Sequence, residues 1–198
     1  MLSGTEGYAR EAAELVARYE SADPEDVHAP VLRFFPSASA RVVDIGSGTG
    51  RDAAWLAGKG YRVVGAEPTR EMRETAMRLH AASDVEWIDD GLPELRLVRE
   101  RGPFDLVLMT AVFMHLDEAQ RAVAIPNLIS LLAPGGVLIM TLRHGPVPGG
   151  RRMFEVTGAE TIELAEGLEL LLHEHRDSLR RENNRTGVTW TQLAFRKA

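Results

Sequence analysis

The chain of 198 residues has no cysteine. Disulfides, thiolate metal sites and a cysteine nucleophile are therefore excluded. Aromatic residues are scarce, at 6%, and nowhere alternate with basic ones as in a nucleic-acid stacking platform. No apolar run reaches the ~18 residues that span a bilayer. Residues 1–14 carry three acidic side chains and no apolar centre, so they do not read as a secretion signal, and a cytoplasmic location is expected. Acidic residues outnumber basic ones, 29 to 23, for a net charge of −6. That balance argues weakly against a polyanionic partner, although a local basic patch can outweigh it. What remains is an ordinary globular composition, 44% apolar and 26% charged, of a length that fits one domain.

The apolar spacing changes period along the chain. Residues 7–20 repeat at helical intervals, and a second short helix is predicted over 27–35, closed by Pro36. From residue 41 strands and helices alternate. Strands are predicted at 41–45, 62–66, 85–89, 104–109 and 136–142. Helices are predicted at 51–59, 69–81, 92–101 and 117–132, the last kinked or divided at Pro126. Residues 133–136 read as a turn. Five such alternations mean right-handed crossovers and a parallel, doubly wound sheet. After a short helix at 161–166, residues 168–176 and 188–195 are strand-like around a polar loop, so the sheet should end in an antiparallel hairpin. The fold class is thus α/β, Rossmann-like, with a mostly parallel seven-stranded sheet.

Val42–Arg51 reads VVDIGSGTGR and lies between a strand and a helix, where open parallel sheets bind ligands. Gly46, Gly48 and Gly50 permit a tight turn and a close approach of backbone to ligand. The helix that follows presents outward amides and a partial positive field. A dinucleotide fingerprint needs a small residue where Arg51 stands, and a P-loop needs a lysine followed by serine or threonine; neither is present. Glu67 ends the second strand and is placed to take both hydroxyls of a ribose. Asp89 and Asp90 end the third strand, where Asp89 is preferred as acceptor for an adenine amine. Solvated loop acids or a helix cap are the alternative there.

In these segments the chain resembles the class I S-adenosylmethionine-dependent methyltransferases, small-molecule members most of all. The resemblance rests on VVDIGSGTGR, VVGAEP, WIDDGLP, FDLVLMTAVFMHL and LLAPGGVLIMTL, in that order. It implies S-adenosyl-L-methionine as cofactor, S-adenosyl-L-homocysteine as product, and no metal. It places Asp44, Gly46, Ser47 and Gly48 along the methionine moiety and Glu67 on the ribose. Pro68, Asp89, Asp90, Gly91 and Leu92 fall around the adenine. Thr110 and Ala111 fall on the floor, with His115 as the candidate general base. It also implies one methyltransferase domain over 1–198, divided into an N-terminal helical cap (1–38), a cofactor-binding half (39–145) and a C-terminal hairpin half (146–198).

Methyl transfer needs alignment of acceptor, methyl and sulfur, and a base only if the acceptor must lose a proton. Tyr8 of the cap, with Arg143, His144 and Arg151 beyond the fifth strand, are candidates for substrate contact. Arg152 would extend those into a basic rim for an anionic acceptor. Residues 110–113 read TAVF, which lacks the Asn/Asp-Pro-Pro-Tyr/Phe segment used on exocyclic amines. A small-molecule acceptor with an oxygen, nitrogen or sulfur nucleophile is therefore expected, with no membrane and no nucleic acid as partner. Two readings stay open beside it: a cofactor-binding protein without catalysis, and a protein or RNA methyltransferase. Fold alone does not choose among them.

Overall fold

A computed structural model of the chain describes residues 15–176 and 187–198. Helix α1 includes residues 15–20, and α2 is Pro24–His28. Asp23 caps α2 by accepting a hydrogen bond from the Glu25 amide, and the first helical residue is a proline. The helix predicted over 27–35 does not form as one piece. The Asp23-Pro24 start lies upstream of it, and only a single 3-10 turn, Leu32–Phe34, follows.

The sheet contains β1 (Arg41–Ile45), β2 (Arg62–Ala66), β3 (Val85–Ile88), β4 (Phe104–Thr110), β5 (Leu132–His144), β6 (Glu169–Arg176) and β7 (Thr189–Arg196). Its spatial order is β3-β2-β1-β4-β5-β7-β6. The first five strands are parallel. The last strand of the chain inserts antiparallel between β5 and β6, as the terminal hairpin requires. The order reverses between β1 and β4. That reversal opens a crevice at their carboxyl ends, the usual ligand position in open sheets.

Residues of β1 alternate between the two faces. Val43 and Ile45 join a core with Val107, Met109, Leu138 and Met140, whereas Val42 joins Leu106, Leu108, Val63 and Ile139 on the other side. Helix α3 (Arg51–Gly58) covers the second face through Ala53 and Leu56. Helix α4 (Arg70–Leu79) buries Met72 and Ala76, and α5 (Arg96–Arg101) buries Val98. Helix α6 (Glu118–Leu131) places Ala124, Ile125, Leu128 and Leu131 on the first face. Each such side chain contributes about 1.5–3 kcal/mol on burial. That packing, with a capping box between Asp117 and Gln120, keeps α6 a single helix despite the backbone bond lost at Pro126. Helix α7 (Gly158–Leu164) starts earlier than its apolar residues suggest, because Thr157 caps it.

Two other expectations change. Residues 92–95 stay outside α5, because Asp90 caps the helix from a distance, its Oδ2 accepting from the Val98 amide at 2.9 Å. Residues 133–136 belong to β5, which begins with a pairing of Leu132 to Phe104 and a register shift before Leu106. A Cβ on Gly136 would stand 2.8 Å from the Ala133 carbonyl oxygen and 2.9 Å from that of Phe104, so the glycine permits this close approach.

Candidate active site

The loop between β1 and α3 lies over the crevice. Gly46, Gly48 and Gly50 all have positive φ, at 69°, 58° and 86°. Only Gly48 has open space where a side chain would stand. A Cβ on Gly46 would lie 2.6 Å from Val112 Cγ2, and one on Gly50 would lie 2.5 Å from the Trp87 ring. The outer two glycines therefore seat the loop against neighbouring elements, and the middle one keeps its surface bare.

Glu67 clamps this loop. Its Oε2 accepts from the Gly48 amide at 2.9 Å and its Oε1 from the Thr69 amide at 2.7 Å. The Glu67 amide itself donates to the Ile88 carbonyl. Burial pushes the Glu67 carboxyl above its usual value, and the two amide bonds and Arg73 oppose that rise. Arg73 donates to the Glu67 carbonyl at 2.6 Å and pairs with Asp89 at 2.9 Å, which brings α4, β2 and the end of β3 together. Glu67 and Asp89 thus stand on the same edge.

Asp44 is buried at 2% exposure, and one of its carboxylate oxygens, Oδ2, has no hydrogen-bond partner among the described residues. Its pKa is raised well above the usual carboxylate value. Burial is the main cause, Asp52 and Glu67 add repulsion, and Arg51 opposes them. The Ser47 hydroxyl of the loop is also buried and without a partner among the described residues. An unpaired buried carboxylate oxygen is costly. The arrangement fits a ligand that brings a cation or donor into the crevice, as the amino group and sulfonium of S-adenosylmethionine would.

Beneath the loop lies a cluster that the sequence reading missed. Asp52 is buried, and its carboxylate accepts from Arg51 Nε at 2.7 Å and Thr110 Oγ1 at 3.0 Å, with His28 Nε2 at 3.1 Å. Burial alone would raise the Asp52 pKa, but the charges and hydrogen bonds of His28 and Arg51 outweigh it and hold the carboxyl well below its usual value. His28 is 24 residues from Asp52 in sequence, so no local spacing connects them. The one local signal is an acid in the first turn of α3, which any helix start favours.

The remaining predicted residues divide. Thr110 and Ala111 close β4 at the crevice, and Ala111 holds a positive φ of 60°, its amide donating to the Thr141 carbonyl. Such backbone in a non-glycine residue is a mark of functional sites. Pro68 packs beneath Gly91, whose Cβ would be 3.0 Å away, and Leu92 is buried. Asp90 spends both oxygens on backbone amides, those of Gly91 and Val98, so its carboxylate is a structural cap. His115 is buried, and its ring is oriented by Nδ1 donating to the Arg152 carbonyl at 2.8 Å. That assignment puts the lone pair of the neutral ring on Nε2.

The expected basic rim is largely countered. Arg152 pairs with Asp117 at 2.9 Å, and Arg143 donates to the Pro146 carbonyl. His144 contacts Thr191 Oγ1 at 2.8 Å; burial and the neighbouring His175 lower its pKa, against a raising effect of Glu155. It is therefore neutral near pH 7 and adds no charge to the rim. Arg151 follows in the loop, its amide bonded to the Pro148 carbonyl. Tyr8 lies outside the described residues. Among the described residues no helix is long and apolar enough to cross a membrane.

Residues 42–136 match the family model of a methyltransferase domain. A demethylmenaquinone methyltransferase of Clavibacter sepedonicus is 30% identical over 123 residues, 61% of this chain and 49% of that relative. The chain spans about half the length of the curated relatives it matches. Among solved structures, a TehB-like SAM-dependent methyltransferase from Corynebacterium glutamicum superposes with a TM-score of 0.68 at 20% identity, covering 96% of this chain and 99% of that one. The N-methyltransferase NodS of Bradyrhizobium japonicum, crystallised with S-adenosyl-L-homocysteine, gives 0.65 at 19% identity, covering 94% and 98%. The matched segment contains the whole β1–β4 crevice, and the strand order extends the likeness to the terminal hairpin: residues 42–136 are a methyltransferase domain, in a chain with the fold of the class I S-adenosylmethionine-dependent methyltransferases.

Proposed function

We propose that the protein transfers a methyl group from S-adenosylmethionine to a small-molecule acceptor. The observation that carries this reading is the buried Asp44 carboxylate, with an oxygen left without partner beside a bare glycine loop. When bound, the cofactor would supply an activated methyl on its sulfonium sulfur, for an aligned nucleophile to take up in line as the S-adenosylhomocysteine thioether leaves. The chain's own part is placement, the largest resource for a reaction of this kind at roughly 7–11 kcal/mol. Asp44 and the loop amides hold the amino-acid end. Glu67, already fixed by two amides, receives the ribose hydroxyls, and Asp89 the adenine amine. Thr110 and Ala111 form the floor. His115 Nε2 takes up a proton where the acceptor is a hydroxyl.

Charge supports a small acceptor. Several arginines that might form a nucleic-acid face are paired with acids: Arg101 with Glu86, Arg121 with Glu160 and Arg152 with Asp117. Relatives and neighbours named for glycine, demethylmenaquinone and N-methylation point the same way.

Thermal unfolding with S-adenosylmethionine, S-adenosylhomocysteine and NAD tests the reading. A ligand at a hundred times its dissociation constant adds about 2.7 kcal/mol, a rise of roughly 5–10 °C here. The expected result is a rise with both sulfur nucleosides, none with NAD, and its loss in Glu67→Ala. No rise at saturating ligand would refute the proposal, and a rise licenses an acceptor screen by methyl incorporation.

A further inference from the structure

We propose that His28 and Asp52 are positioning residues that join the N-terminal cap to the cofactor pocket, so that docking of α1 and α2 and binding of the cofactor are coupled. This rests on the pocket reading above.

One buried carboxylate connects three parts of the molecule. Asp52 opens α3 directly behind the glycine loop. Its Oδ2 accepts from Thr110, which ends β4 on the pocket floor. The same oxygen receives His28 Nε2 from α2. Its Oδ1 holds Arg51, and Arg51 Nη1 donates in turn to the Tyr19 carbonyl of α1 at 3.1 Å. Both cap helices are thus hydrogen-bonded to the residues that shape loop and floor.

His28 is fully buried, and its ring stacks on Trp55 of α3 at 5.6 Å and 21°. Its Nδ1 has no partner among the described residues, so the ring's one bond is the one to Asp52. A ring used only to fill space would be served by phenylalanine, without the cost of burying polar nitrogen. A donor here instead fixes the rotamer of Asp52, and through it the Thr110 hydroxyl and the start of α3. Coupling of this kind is reciprocal: whatever orders the loop also favours the docked cap.

Two substitutions separate donor from filler. His28→Phe keeps the stacked ring and removes the donor; His28→Gln keeps a donor and removes the ring. Hydrogen exchange, followed with and without S-adenosylhomocysteine, reads residues 19–28 and 46–50 separately. In the natural protein the ligand is expected to slow exchange in both segments. In His28→Phe it should slow only 46–50, with affinity about tenfold weaker, and His28→Gln should recover most of both. Arg51→Met, which cuts the tie to Tyr19 without entering the His28 cavity, should also uncouple 19–22, and it serves if His28→Phe does not fold. Protection of the cap as in the natural protein, with unchanged affinity, in whichever of the His28→Phe and Arg51→Met variants folds overturns the proposal. Absence of ligand protection at 46–50 in the natural protein refutes the pocket reading itself, and this one with it.

Discussion

Asp44 and Asp52 are both buried acids eight residues apart, yet their surroundings push them in opposite directions. Asp52 is hydrogen-bonded by Arg51, His28 and Thr110, so its charge stabilises the fold above the unfolded carboxylate pKa of about 3.9, and that contribution is lost as pH falls. Asp44 has the reverse sign. Its folded pKa lies above the unfolded one, so folding favours the proton and the ionised form costs stability at neutral pH. Asp44→Asn should therefore raise the melting temperature of the ligand-free protein at pH 7, by roughly 2–4 °C per kcal/mol relieved, while weakening S-adenosylhomocysteine at least tenfold. The gain should shrink as pH falls through the folded pKa of Asp44, where the natural side chain takes up its own proton. Melts across pH, with titration calorimetry at neutral pH, check both halves; an Asn variant that is less stable and binds normally would contradict them. Glu67 stood out in the sequence because it ends a strand downstream of a glycine turn, and Asp44 through the family resemblance. His28 was not, because its meaning depends on an acid in a different helix, brought near only by the tertiary fold.

At the scale of elements, the glycine loop has one part for packing and one for ligand. Gly50→Ala would force a left-handed alanine into Trp87 and Ala76, at about 3 kcal/mol for backbone and overpacking together. Gly48→Ala meets nothing closer than 3.8 Å and should cost about 1 kcal/mol in stability while reducing ligand affinity strongly, since the new methyl occupies the bare surface. Denaturant unfolding and binding measured on both variants should show opposite patterns. The end of β3 separates roles in the same way. The strand stops at Ile88, which leaves Asp89 at the edge, 64% exposed beside Arg73, and turns Asp90 inward onto the Gly91 and Val98 amides. Asp90→Ala should therefore lose about 1–2 kcal/mol of stability with binding intact. Asp89→Ala should keep stability and weaken binding about tenfold, or about 1.4 kcal/mol. The succession of strands and helices and the glycine turn were readable from period and spacing alone. Asp89 was already preferred to Asp90 there, but the inward cap made by Asp90 onto the Val98 amide was not readable, because a single residue of strand length decides it. The same holds for residues 133–136, whose turn-like composition conceals a strand start that exists only because Phe104 is beside it.

For the whole molecule, the acids around the crevice make ligand binding a proton-linked event. Asp44 and Glu67 both have folded pKa values raised by burial, and Glu67 adds direct repulsion at Asp44. Between the unfolded carboxylate pKa and the raised folded ones, the ligand-free protein thus retains protons that an unfolded chain would have released. A bound α-ammonium group beside Asp44 favours the carboxylate, so binding must expel a proton there. Calorimetric titration of S-adenosylhomocysteine in two buffers of different ionisation enthalpy is expected to give different heats below the folded pKa of Asp44, equal heats well above it, and affinity that increases between them. Asp44→Asn should abolish most of the buffer dependence, because Glu67 meets neutral hydroxyls. S-adenosylmethionine, with a further positive charge on sulfur, should gain more affinity over this range than S-adenosylhomocysteine. Equal heats in both buffers at the acid end would mean that the ligand's cation does not lie in the field of Asp44, and the orientation of cofactor argued from its unpaired oxygen would have to be reversed.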